Sequence, residues 1–235
     1  MFESKETASI PNQVYTRLKS EILSLKLKPG QSIGENEIAN RFNVSRTPVR
    51  DAFKRLEYEH LLEIKSHRST VVSLIDINFI TDIIYIREKL EYAVIEELCK
   101  NFSKNKIFKL QLILKKQENL FSQNLSLEDL SRQFIEADNE FHNMIYQLAN
   151  KENILNFIKS ISHHYERFRV FVNFTDEENL YKLYEQHKAL YECMVSNNLD
   201  TLKELFSQHL YEGIYRSSEK VFEYPEYFKE LDLNH

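Results

Sequence analysis

Asp138 and His142 stand four residues apart in "DNEFHNMIY", and His187 and His209 follow, 22 residues apart. Imidazoles and carboxylates are the ligands of borderline divalent cations; four of them at one point would hold such an ion and leave a position for water or another ligand. On a helix, residues four apart share a face, so Asp138 and His142 project together, with Phe141, Ile145 and Leu148 marking the buried side. Taken alone, such a pair is more often a local salt bridge or a satisfied histidine. The two later histidines change that balance. Their midpoint is Asn198, inside a polar break between two helical stretches. An antiparallel helix pair turning there sets His187 and His209 at equal height, roughly 15 Å from the turn. Three histidines and one carboxylate from three helices can then converge inside a bundle. His163 and His164 compete, because reflection through a turn near 151 sets His164 level with Asp138; nothing pairs them with His187, and they rank second. Glu140, two residues on, projects about 160° away from Asp138 and faces outward.

The elements that must position these groups are helical. The 235 residues are 42% hydrophobic and hold only three glycines and four prolines, too little punctuation for a many-stranded sheet. From Asp76 the apolar period stays helical to about residue 220. Helices are predicted near 77–101, 104–122, 127–149, 152–172, 176–196 and 199–221, with Ser126, Thr175 and Asn198 as caps. Six helices of this length make a bundle. Cys99 and Cys193 sit inside two of them as small hydrophobes, without the CxxC spacing of a redox or metal motif. The closing "EYPEYFKELDLNH" reads equally as a frayed tail or a docked arm. Neither GxGxxG nor GxxxxGK occurs, which excludes the glycine-rich phosphate cradles. No apolar run approaches the roughly 18 residues needed to span a bilayer, and the first residues lack a signal-peptide core. The expected location is the cytoplasm, with no membrane partner.

The N-terminal part differs in charge and in pattern. Residues 1–75 carry 12 Lys and Arg against 9 Asp and Glu, and the remainder 19 against 27. The first part is mildly basic and the second acidic, as for two domains with different partners. Val14, Leu18, Ile22 and Leu25 form the stripe of a first helix over 12–26, which Pro29-Gly30 ends. Short helices follow over 35–42 and 46–58, separated by a break at 43–45. "LLEIK" and "STVVSL" then read as a hairpin around "SHR". Three helices and a hairpin make a winged helix-turn-helix. Ser45, Arg46 and Thr47 open its second motif helix, the end that enters a major groove, and Pro48 fits the first turn of that helix. Arg50 shares the face of Arg46, opposite Val49 and Phe53. Guanidiniums there can bond guanine edges or clamp phosphates, though four basic residues at helical spacing are also what an ordinary solvated face looks like.

"LKPGQSIGENEIANRFNVSRTPVRDAFKRLE", followed by "LLEI", resembles the DNA-binding domain of GntR-type bacterial transcription regulators. That resemblance implies Ser45, Arg46, Thr47 and Arg50 as the principal DNA contacts, with the wing at Ser66 to Arg68, including His67 and Arg68, reaching a minor groove or phosphate. The chain departs from the family in three places. His60 stands where glycine is usual, the wing lacks its glycine, and position 36 is Asn where a basic residue is common. Similarly, "ITDIIYIREKLEYAVIEEL", "DNEFH", His187 and His209 resemble the all-helical FCD effector domain of the FadR subgroup. This implies Asp138, His142, His187 and His209 as ligands of a divalent metal, completed by a small carboxylate effector. Imidazole and carboxylate donors suit zinc first, with nickel or manganese as alternatives. Arg87 is the candidate for holding the effector, and an i, i+4 salt bridge to Glu91 is the competing reading. Arg167 and Arg169 are further candidates.

The expected molecule is therefore mainly α, with a winged helix-turn-helix over 1–75, an effector-binding bundle over 76–222 and a tail over 223–235. Its partners are a double-stranded DNA operator, a small carboxylate and a second copy of itself, since one winged helix reads only a half-site. Two other readings use the same metal cluster: a repressor for which the metal is itself the signal, and a metal-dependent hydrolase. The second lacks HExxH and a base facing the cluster.

Overall fold

The computed structural model describes residues 9–65, 69–173 and 177–230. They fall into two compact units, one drawn from Met1–Ile77 and Tyr224–His235, the other Asn78–Glu223.

In the first unit, α1 (Ile10–Leu23), α2 (Glu35–Phe42) and α3 (Arg46–Tyr58) combine with β1 (Ser32–Ile33), β2 (Leu62–Lys65) and β3 (Ser69–Val72). The strands lie antiparallel in the order β1-β3-β2. Val14, Leu18 and Ile22 of α1 bury against Val49, Phe53 and Leu56 of α3, with Ile38 of α2 closing the core. Leu25 leaves the predicted stripe: α1 stops at Leu23, and Leu25 takes a positive φ of 58°. Asn43 makes the turn of the helix-turn-helix in the left-handed region, φ 54°, which asparagine tolerates better than most residues. His60 does the same at φ 57°. An L side chain there costs about 1–2 kcal/mol, which explains physically why glycine suits this position. The β1 strand was not expected from the sequence. The wing turn with His67 and Arg68 lies outside the described residues.

The stretch after α10 groups with this first unit. Residues Pro225–Tyr227 form a 3-10 turn, and Phe228 bridges Ile75 in parallel. Ile75 N–H donates to the Tyr227 carbonyl at 2.8 Å, and Lys229 N–H to the Ile75 carbonyl at 2.9 Å. Lys229 Nζ lies 3.2 Å from Asp76 Oδ2. Phe228 is buried, and Gly30, at φ 77°, has the Glu226 carbonyl within 3.7 Å of where a Cβ would stand. Phe228→Ala should cost this unit about 3 kcal/mol by the usual range for buried aromatics. Hydrogen exchange of the α1–α3 amides measures it; unchanged exchange would place the arm outside the unit's stability.

The second unit holds α4 (Ile77–Cys99), α5 (Lys104–Leu120), α6 (Leu127–Leu148), α7 (Glu152–Ile161), α8 (His163–Asn173), α9 (Glu177–Ser196) and α10 (Leu199–Glu223). The helix expected over 152–172 is two. It breaks at Ser162, whose hydroxyl donates to the Ile158 carbonyl at 2.6 Å while its own carbonyl accepts the N–H of Glu166, in the first turn of α8, at 2.8 Å. Ser126 caps α6 by accepting from Asp129 N–H, and Asn198 accepts from Thr201 N–H. Thr175 lies outside the described residues. Helix α5 packs along α6, α9 along α10, and α6 against α9. Cys99 is buried and Cys193 half-buried, both as free thiols.

Candidate metal centre and DNA-reading helix

Three helices bring the histidines together. Asp138 and His142 lie on the buried face of α6, which also carries Phe134, Phe141 and Ile145. Helices α9 and α10 turn at Asn197, φ 55°, where Asn198 N–H closes back on the Cys193 carbonyl. The turn sets His187 and His209 level, with ring centroids 4.8 Å apart. One ligand atom each from His142, His187 and His209 lies within 4.8 Å of the others. His142 Nε2 and His209 Nε2 are 3.3 Å apart, and His187 Nε2 is 3.4 Å from Asp138 Oδ1.

What holds the rings decides their protonation. Gln117 donates its amide N–H to the Ala137 carbonyl at 3.1 Å, so its Oε1 faces His187 Nδ1, 3.0 Å away, and accepts the proton there. Gln186 likewise donates to Glu212, leaving its Oε1 to accept from His209 Nδ1 at 2.9 Å. His142 Nδ1 faces the Glu91 carboxylate at 3.7 Å. For His187 and His209 these acceptors favour the proton on Nδ1, which leaves Nε2 to face inward as is usual for metal-binding histidines, and His142 Nε2 faces that of His209. The buried His187 Nε2 has no hydrogen-bond partner. Burial pushes the His187 pKa down to about 4, and burial lowers His142 and His209 as well, so all three are neutral and competent as ligands. Converging lone pairs in a buried site are unfavourable by themselves and fit a cation.

Asp138 stands beside this group with its second oxygen engaged. Its Oδ2 accepts from Arg169 Nη2, and Arg169 Nη1 donates to Asn139 Oδ1 at 2.8 Å. Burial opposes the carboxylate charge, but the Arg169 guanidinium beside it holds its pKa well below the usual range. Arg87 is buried and bonded to Glu91 through Nε at 2.6 Å and Nη2 at 3.2 Å, so the predicted salt bridge is present. It also lies over the Tyr165 ring at 4.7 Å and lines a cavity with Asp138, His142, Arg169 and His209. That cavity opens to solvent. His163 and His164 stay apart from the cluster; His164 Nδ1 sits 3.0 Å from Arg167 Nη2 and its ring against Phe79. Glu140 is half-exposed and pairs with Lys116.

On α3, Ser45, Arg46, Thr47 and Arg50 are all exposed. Glu35 of α2 accepts from Arg46 Nη2 at 3.0 Å and from Arg50 Nε and Nη2 at 3.2 Å each. Arg50, then Arg46, hold the Glu35 carboxyl below its ordinary range. Sequence reasoning missed Glu35, Gln117 and Gln186. The available signal for Gln117 was its place on the buried stripe of α5, between Leu114 and Leu120, where an apolar residue is the rule.

Residues 11–72 match the family described as bacterial regulatory proteins, gntR family, and residues 82–212, more than half the chain, match the FCD domain. The chain is a GntR-family regulator with an FCD domain. Among relatives of this GntR-family chain, the HTH-type transcriptional repressor RspR of Escherichia coli K12 is 27% identical over 88% of each chain. The Nta operon transcriptional regulator of Aminobacter aminovorans is 27% identical over 80% of this chain and 85% of its own. E. coli McbR/YncC shares the fold at TM-score 0.69 and 20% identity, over 91% of this chain and 99% of its own. A GntR-family regulator is a DNA-binding transcription regulator rather than an enzyme, and its operator contacts come from the winged helix. No helix of the described residues is long and apolar enough to cross a membrane.

Proposed function

We propose that this regulator is a cytoplasmic homodimeric repressor of the FadR subgroup, whose helical unit takes a divalent metal and a small organic acid that changes its grip on operator DNA. The observation that carries this reading is the set of three buried imidazoles, each presenting Nε2, beside Asp138 and next to a cavity walled by Arg87 and Arg169. Asp138, His142, His187 and His209 would hold the ion, zinc first, with nickel or manganese as alternatives. When bound, the ion supplies a Lewis-acidic position for a carboxylate. Arg87 and Arg169 give the cavity the cationic wall that an organic acid needs. Ser45, Arg46, Thr47 and Arg50 read the operator, joined by His67 and Arg68 of the wing, and two copies supply the two half-sites. The acid acts on DNA binding to the extent that it favours one arrangement of the DNA-binding units over another.

The test is operator affinity of chelator-stripped protein, zinc-restored protein, and zinc-restored protein with a panel of small organic acids. An acid should weaken operator binding only when zinc is present. If zinc alone sets the affinity and no acid alters it, the metal is itself the signal. If stripped and restored proteins behave alike throughout, the site has no regulatory role.

A further inference from the structure

We propose that Arg169 is a gate on the metal site, holding Asp138 short of the imidazole cluster until an organic acid engages its guanidinium, so that cation and acid bind cooperatively. The inference rests on the metal-and-acid reading above.

Asp138 is not part of the converged group. The ligand atoms of the three imidazoles all lie within 4.8 Å of one another and Asp138 is outside that group; one of its oxygens stands 3.4 Å from His187 Nε2, and the other goes to Arg169. Arg169 is well placed to hold it, because Asn139, the next residue on α6, takes the other arm of the guanidinium fork. A carboxylate so engaged cannot give its full charge to a second cation, and two cations a few ångströms apart in a buried site repel strongly. Arg169 also has somewhere to go. Its side chain is 17% exposed and lines two cavities, one with the histidines and one with Asn143, Lys159 and Glu166.

Charge balance names the class of acid. Among the described residues lining the histidine cavity, the charged side chains are Arg87, Arg169 and Asp138, and Arg87 carries its partner Glu91. Two guanidiniums and two carboxylates cancel. With a divalent cation in place, two positive charges stand uncompensated in a low-dielectric pocket, and a dianion restores neutrality. A small dicarboxylate, one end toward the metal position and the other taking Arg169 from Asp138, meets both requirements.

The experiment is zinc affinity by competition against a fluorescent chelator, on wild-type, Arg169→Gln, Asn139→Ala and Asp138→Asn full-length proteins, each alone and with oxalate, malonate, succinate or citrate. With no acid present, Arg169→Gln should bind zinc about tenfold more tightly than wild type, within the usual range of coupling between two sites. Asn139→Ala, which loosens the gate from outside the cluster, should move the same way by less. At least one acid should strengthen zinc binding to wild type, and that gain should shrink in Arg169→Gln. Asp138→Asn should lose the acid's effect on zinc. A merely structural role for Arg169 predicts weaker zinc binding in Arg169→Gln; that result, or an unchanged affinity in both gate variants, overturns the gate. Zinc bound by every protein with no response to any of the four acids overturns the cooperativity and leaves the metal site standing. Zinc bound by none of the proteins overturns the metal reading and the gate together.

Discussion

Zinc affinity should fall roughly a hundredfold in His187→Ala protein, about one quarter of a four-ligand binding free energy on the order of 10 kcal/mol. His187 is the most enclosed of the three histidines. It is fully buried, its ring is stacked on Phe141 at 4.6 Å, and Gln117 holds its Nδ1. The substitution also leaves Gln117 Oε1 without its donor in the core, so a modest loss of stability is expected alongside. Gln117→Leu separates the two effects: the imidazole stays, its proton is no longer directed to Nδ1, and zinc affinity should fall about 10–100-fold. Equilibrium competition against a chelator of known affinity measures both. Wild-type zinc binding in His187→Ala protein would remove this residue from the site.

The second large effect lies in the DNA-binding unit. Arg50→Ala should lower operator affinity by about 10–100-fold, the value of one well-placed guanidinium on a base edge. Far-ultraviolet circular dichroism should not change, because Arg50 is exposed and the α3 core is made by Val49, Phe53 and Leu56. Glu35→Gln should act in the opposite direction. Glu35 now takes both Arg46 and Arg50, so its loss frees two cations for phosphates and removes a negative charge from the reading surface. Affinity for any duplex should rise, its dependence on salt should steepen by about one contact, and discrimination between operator and random DNA should narrow. An Arg50→Ala protein that binds its operator like wild type would sink the assignment of this helix face.

These two cases differ in how far the sequence discloses them. The candidate reading helix is local: Pro48 in its first turn, the Val49–Phe53–Leu56 stripe and the exposed arginines all fall within one short helix. The level pairing of His187 and His209 is nearly as local, because it depends on one left-handed residue, Asn197, at the turn between two regular helices. The restraining groups were not legible. Gln117 meets His187 across 70 residues and Arg169 meets Asp138 across 31. The second pairing depends on where α8 restarts after Ser162, a break that no glycine or proline announces. The two-residue β1 strand exists only through its pairing with Thr70 and Val71 of β3, so its own composition carries almost no signal. Periodicity reports which face of a helix is buried; it is silent on what that face meets.

The bridge between Ile75 and Phe228 sets an order on synthesis. Asp76 and Lys229, which pair across the same junction, are separated by 153 residues. At ordinary translation speeds the ribosome needs on the order of ten seconds to make that interval. The first unit is thus begun before the helical unit and completed after it. Until the arm emerges, the backbone at Ile75 offers an open edge to any other extended segment nearby.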